Sequence, residues 1–462
     1  MTRMSVVAGG LAALLGGAMV ARAQQALPPP GTPAPPPGAA VVGEPPVPAA
    51  GPVVPAPAPP RPGPTTGLEA ESLPREIAED IRPTAPPAPP RFGPTPVDEV
   101  GFLMEDLGLK RLFGDSGIRT FGWVEGGYTG ASGSPGLRSV QPRQNRFGDE
   151  FLLNQIGVVL QKPLLQDQWD WGFNVRYFAG ADAALGTPKG GIGDPVTNPR
   201  FGHDFRDLYL SAHLPILTEG GVNVKVGRMN TIIGYNGFLA PYRPLYSSDY
   251  QFFYSQDGAF TGALAQLVVN DQLNIWNGVN LGNNTFFEKR SSNSVCYIGQ
   301  VNYWLTTEQR TRLTASTYLG PDAIFAAPGL NGDFVSMVEL RVQHAWSEQF
   351  TQVVQSNFGW DTNTPVGTGS WYGLYTIGIF HLTREWDVIS RAEWFRDVRG
   401  TRTGVGTDYS EVTLGCNWHP VKYFEIRPEV RGDFAGAPAY GAGGAQTERS
   451  QVTAAISALF KF

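Results

Sequence analysis

Between Ile118 and Phe462, apolar and polar residues alternate within segments of strand length, and the connections between segments are short and long by turns. Sixteen segments begin near Ile118, Phe151, Trp169, Asp204, Gly221, Gly258, Gln272, Ser294, Gln309, Asp333, Gln349, Trp371, Glu385, Tyr409, Tyr423 and Arg449. Short connections are read at Pro163–Gln168, Pro215–Gly220, Asn270–Asp271, Thr306–Glu308, Ser347–Glu348, Arg384 and Pro420–Lys422; long ones at 131–150, 182–203, 229–257, 283–292, 320–332, 361–370, 398–408 and 435–448. A period of two puts successive side chains on opposite faces of a strand. Loops that alternate in length are the mark of a membrane barrel, with tight turns on the periplasmic side and long loops outside. A soluble two-sheet sandwich has no reason to alternate its loops in this way. The predicted class is therefore all-β: a transmembrane antiparallel up-and-down β-barrel of about 16 strands, spanning 118–462.

The faces of single segments sharpen this. Glu425, Arg427, Glu429, Arg431 and Asp433 share one face of their segment, and Phe424, Ile426, Pro428 and Val430 the other. In the last segment Val452, Ala454, Ile456, Ala458, Phe460 and Phe462 oppose Gln451, Thr453, Ser457 and Lys461. Asp207, Tyr209, Ser211 and His213 oppose Leu208, Leu210, Ala212 and Leu214. Charges in a dry core cost several kcal/mol unless paired, so a charged inner face argues for a wide lumen holding water. The candidate lumen residues are Arg176, Lys225, Arg312, Arg341, Arg391, Arg427 and Arg431, with the acids Asp207, Glu339, Glu393, Glu411, Glu425, Glu429 and Asp433. Trp169, Trp171, Trp304, Trp346, Trp360, Trp371, Trp386, Trp394 and Trp418 lie mostly near segment ends, where interfacial girdles are expected.

The first residues read as an export signal: Arg3, an uncharged apolar run to Val20, and a small-x-small site at Ala21-Arg22-Ala23, giving a signal peptide over 1–23. Its run is too short and too rich in Gly and Ala for a comfortable membrane anchor. Residues 24–97 carry much of the chain's 40 Pro and cannot build ladders or a core. They are read as a disordered periplasmic linker, with polyproline stretches reaching roughly 120 Å if fully extended. Residues 98–114 place Phe102, Leu103, Leu107, Leu109 and Leu112 near helical spacing and predict a short amphipathic helix. Cys296 and Cys416 fall on distant segments and are read as unpaired apolar fillers.

The connection 229–257 is the longest and holds Tyr235, Phe238, Tyr242, Tyr246, Tyr250, Phe252, Phe253 and Tyr254. So many aromatics are costly to leave in water, which predicts an ordered segment, either folded into the lumen or packed as a flap on the rim. Tyr235, Tyr242, Arg243, Tyr246, Asp249 and Tyr250 are its candidate constriction residues. Gly227-Arg228-Met229, Ile233-Gly234-Tyr235, Ala240-Pro241, Tyr246-Ser247, Tyr250 and Thr261-Gly262 together resemble the putative β-barrel porin-2 family over 118–462. The resemblance implies an outer-membrane porin for small polar solutes or ions, without catalytic residues. A terminal Phe462 on an outward-alternating strand resembles the signal read by the barrel assembly machinery, an expected partner besides outer-membrane lipid.

Enzyme chemistry finds no support. His203, His213, His344, His381 and His419 lack metal-ligand spacing, and no nucleophile elbow or P-loop occurs. No cofactor, metal or nucleic-acid partner is expected, and homo-oligomerisation is left open. Two functions stay in view: passive diffusion through the charged lumen, or an outer-membrane anchor tethered to the cell wall or a periplasmic partner by the Pro-rich arm. Charge neutralisation at Arg427 and Arg431 is expected to alter ion selectivity if those side chains line the pore.

Overall fold

The computed structural model describes residues 117–131, 145, 147–186, 188, 191, 200–289, 295–305, 310–321, 334–441 and 446–462. The signal peptide, the Pro-rich linker, the helix over 98–114 and the turn Thr306–Glu308 lie outside the described residues. Sixteen antiparallel strands close into one barrel: β1 (Arg119–Ala131), β2 (Glu150–Lys162), β3 (Asp170–Gly180), β4 (Gly202–Leu214), β5 (Val222–Met229), β6 (Phe260–Asn270), β7 (Leu273–Asn280), β8 (Cys296–Trp304), β9 (Thr311–Gly320), β10 (Val335–Ala345), β11 (Phe350–Thr364), β12 (Gly367–His381), β13 (Trp386–Asp397), β14 (Thr407–Val421), β15 (Phe424–Ala435) and β16 (Ser450–Lys461). Every strand pairs with its sequence neighbours, and β1 closes on β16 from Trp123↔Lys461 to Ala131↔Thr453. No edge is left to pair with another chain. No helix among the described residues is long and apolar enough to cross a membrane.

The seam is tightened by the last residue. Phe462 accepts from the Gly122 amide at 2.7 Å and donates to its carbonyl at 2.9 Å. Gly122 is required there, since a Cβ would lie 2.5 Å from the Gly157 carbonyl and 2.6 Å from the Phe462 ring. Cys296 is buried and Cys416 half-buried.

Polarity is inverted relative to a soluble protein. Phe151, Leu153, Leu210, Val226, Leu340, Phe358, Leu374, Val412, Leu414, Val430 and Ile456 are exposed, whereas Glu125, Glu339, Arg391, Glu411, Arg427, Arg431 and Asp433 are buried. Apolar surface of this extent, facing outward around a closed ring, fits lipid and not water. Trp169, Trp171, Trp346 and Trp386 are exposed near the short-turn rim, as a girdle requires. Trp304 and Trp371 depart from that expectation. Trp371 is fully buried and donates to Ser255 at 2.9 Å, and the Trp304 ring packs under the Arg312 guanidinium at 5.8 Å. Both sit on the inner parity of their strands, which nearness to a strand end does not reveal.

The expected long connection 361–370 is not one. β11 continues to Thr364 and β12 starts at Gly367, leaving only Pro365-Val366 between them. Asp361 pairs with Val335, and the Thr362 hydroxyl accepts from the Phe334 amide at 2.9 Å. A polar run that composition marks as loop is thus drawn into the ladder by its neighbour, and Gly367 at φ 84 supplies the left-handed residue of the tight turn.

Candidate functional site

The 230–259 connection enters the barrel and docks on one inner wall; it is not a flap on the rim. A segment buried this way must find partners for its backbone groups, and charged strand residues supply them. The Glu429 carboxylate accepts from the amides of Tyr246 at 2.9 Å and Ser247 at 3.1 Å. Arg391 donates to the Ser247 carbonyl at 2.8 Å, Arg431 to the Ser248 carbonyl at 2.6 Å, and Arg427 to the carbonyls of Ala240 and Arg243, both at 3.1 Å. A short helix, α1 (Tyr250–Tyr254), follows; the Asp249 side chain caps it by accepting from Phe252 at 2.8 Å. Its first amides, Tyr250 and Gln251, donate to Glu393 at 2.6 and 2.9 Å. The Tyr235 amide donates to Gln355 at 3.0 Å, and the Tyr250 hydroxyl donates to Asp433 at 3.0 Å.

Glu125 is the electrostatic centre of this wall. It is fully buried and pairs with Arg243 of the loop and with Arg427 of β15. Arg243 also reaches Asp182 at 3.2 Å, outside the strands. Burial is the main cause that pushes the Asp182 carboxyl up to about 6; Glu125 adds to it, while Arg243, Asn154 and Gln155 oppose it. Burial likewise raises Asp249, against the pull of Arg391 and Asn236. Gln155 joins the parts: it donates to Asp182 at 2.7 Å and to the Phe238 carbonyl at 3.0 Å, and accepts from the Ala240 amide at 2.9 Å.

Two bulges place these groups. Asn154 is the extra residue opposite Glu125/Gly126, so Asn154 and Gln155 both turn inward. Arg206 is extra opposite Arg176/Tyr177, so Arg206 and Asp207 do the same. Gly227, at φ 135, allows Arg228 to bury, where it binds Asp204 at 2.8 Å and the Phe205 carbonyl at 2.7 Å, pinning the start of the loop. A Cβ at Gly227 would lie 2.3 Å from the Leu208 carbonyl.

The remaining sequence candidates fall as follows. Arg176 pairs with Asp207 at 2.7 Å and lies over the Tyr242 ring at 5.5 Å. Arg391 pairs with Glu411, and Arg431 with Asp433 at 2.8 Å and Glu411 at 3.5 Å. Glu425 meets Lys461 and Arg427, both at 3.8 Å. Glu339 lies 3.4 Å from Arg341. Lys225 and Arg312 are different, for both stay partly exposed. Sequence reading missed Glu125, Gln155 and Asp182, and named Arg228 only within the motif Gly227-Arg228-Met229. Glu125 alone carried a signal, as the single charge between apolar and glycine neighbours of β1. Among the described residues no group of His, Cys, Asp and Glu could hold a metal ion.

No curated protein matches the chain. The fold is shared with solved structures at low identity. The outer membrane channel DcaP of Acinetobacter baumannii is 8% identical, with 75% of this chain and 97% of that one covered at a TM-score of 0.51. The anion-selective porin from Comamonas acidovorans is 12% identical, covering 75% and 99% at 0.53. OprB of Pseudomonas putida is 11% identical, covering 79% and 99% at 0.52. The model of one family, putative beta-barrel porin-2, OmpL-like, matches residues 117–462 and so takes in the whole barrel; with its lipid-facing shell already described, the chain belongs to that family of outer-membrane porins.

Proposed function

We propose that the barrel is a non-enzymatic channel for passive diffusion of small polar solutes, with a passage that runs beside the docked loop along the inner wall of β4–β9. One observation carries this reading. Inward residues of β10–β16 and of β1–β3 are almost all buried, whereas Tyr209, Ser211, Lys225, Gln266, Asn274, Trp276 and Arg312 on β4–β9 stay partly exposed. The partly exposed charges on that wall are cations. Its acids are taken up: Asp207 by Arg176 and Asp204 by Arg228. The Lys225 ammonium lies 5.1 Å from the Tyr209 ring and 5.4 Å from the Trp276 ring, with no carboxylate in ion-pair contact among the described residues. Unbalanced positive charge in a narrow low-dielectric passage favours anions.

The test is single-channel recording of the purified full-length protein in planar bilayers. Steady KCl conductance with reversal potentials on the anion side is expected. A barrel that inserts and folds but carries no current refutes the reading.

A further inference from the structure

Facing positions of β9, β10 and β11 hold a cluster of polar groups whose hydrogen-bonding capacity is partly unspent. Arg312 is directly opposite Gln343, Thr314 opposite Arg341, and Arg341 opposite Gln355. Directly opposed residues on antiparallel strands have Cβ atoms about 5 Å apart, so Arg312, Arg341 and Gln343 form one patch. Gln343 is 0% exposed and Arg341 5% exposed. Neither amide atom of Gln343 has a hydrogen-bond partner among the described residues, nor do Nε and Nη1 of Arg341 or Nε of Arg312. Burying donors and leaving them unpaired is unfavourable, and native interiors rarely do so without an occupant such as water or a ligand.

The electrostatics favour an anionic occupant. Two guanidinium groups share the patch with one carboxylate in ion-pair contact, Glu339 at 3.4 Å from Arg341, while the next acid, Asp249, is engaged by Asn236 and by the Phe252 amide. That leaves one positive charge uncompensated. The Tyr235 hydroxyl of the loop stands in the field of both guanidinium groups, which oppose the burial that pushes it up to about 12. The partly exposed Arg312, stacked on Trp304 at 5.8 Å, is the side open to the lumen.

We propose that Arg312, Arg341 and Gln343 form a binding niche for a small monocarboxylate, with the Gln343 amide favouring one that carries a hydroxyl beside its carboxylate. The niche rests on the channel reading above and gives it a solute class. Guanidinium nitrogens match carboxylate oxygens in geometry and charge, while a free amide oxygen can accept from a hydroxyl. A carboxylate solute leaving the passage for this niche interrupts the current carried by smaller ions.

Lactate and propionate are suitable probes, since they differ by that hydroxyl. In KCl recordings of the full-length protein, lactate is expected to block at about tenfold lower concentration than propionate, the effect of one buried hydrogen bond. Arg341→Gln should raise both half-blocking concentrations about tenfold, one lost charge-assisted contact. Gln343→Leu should abolish the difference between the two acids. Arg312→Gln, at the partly exposed position and hence least prone to misfold, should weaken both. Equal block by lactate and propionate in the wild type and all variants, with KCl current intact, overturns the niche and leaves the channel reading standing. Absence of KCl current sinks the channel reading; calorimetric titration of the detergent-solubilised protein with lactate then decides the niche, and no heat of binding overturns it.

Discussion

The two inner walls of this barrel are built from similar residue types and use them differently. On β13 and β15, arginines and carboxylates are buried and spend hydrogen bonds on a loop: Arg391, Arg427, Arg431, Glu393 and Glu429 all bond its backbone. On β4–β9, Lys225 and Arg312 touch aromatic rings and keep some exposure. Charge on an inward face is therefore not one property. Covered, it satisfies a backbone that would otherwise be orphaned; uncovered, it acts on whatever moves past. The passage proposed here lies where the second condition holds.

The largest effect expected is at the hub of the covered wall. Glu125→Gln removes the carboxylate shared by Arg243 and Arg427. Breaking one partner of a buried ion pair costs about 3–5 kcal/mol, and here two cations lose it together. The loop should leave its wall, so single-channel conductance should rise while the thermal midpoint falls. An unchanged conductance would mean that the loop is held without this pair.

A smaller effect follows from pH. The Asp182 carboxyl is raised from the usual 3.8 to about 6 in the docked structure, chiefly by burial. A raised carboxyl means that the docked state binds a proton more tightly than the unfolded chain. Its contribution is therefore complete below pH 4, declines as pH rises toward 6, and is flat above. Thermal midpoints measured between pH 4 and 7 should fall across this window, and Asp182→Asn, which mimics the protonated form, should flatten that part of the profile. A window left intact in the variant assigns it to another group.

How much of this could be read in advance differs between the same two regions. Strand number and facing followed from period-two alternation, because lipid outside and polar groups inside leave a clear trace. The 361–370 connection failed because Asp361 and Thr362 look like turn formers, yet Asp361 pairs with Val335 of β10 and Thr362 bonds Phe334 just before it. The site was less legible. Asn154 and Arg206 are bulge residues that break the period by one, so alternation alone misassigns whatever surrounds them. Asp182 lies outside the strands, where no periodicity applies. Arg427 and Arg431 share a buried face, yet whether such a charge meets solvent depends on where a distant loop docks, which local pattern does not contain.

The smallest effect separates the walls most cleanly. Lys225→Gln combined with Arg312→Gln removes the two partly exposed cations of β4–β9, whose ring contacts are to Tyr209, Trp276 and Trp304. The expected change is about a threefold loss of anion over cation permeability, worth roughly 0.7 kcal/mol, with conductance and thermal midpoint close to wild type. Arg427→Gln with Arg431→Gln should do the reverse. Those side chains hold the loop at Ala240, Arg243 and Ser248, so their removal should act first on stability and conductance, and on selectivity only as the loop moves. Reversal potentials in a KCl gradient, recorded beside thermal midpoints for both double variants, place each pair on one side of this division. If Arg427 and Arg431 shift selectivity at unchanged stability and conductance while Lys225 and Arg312 do not, the passage runs along the other wall.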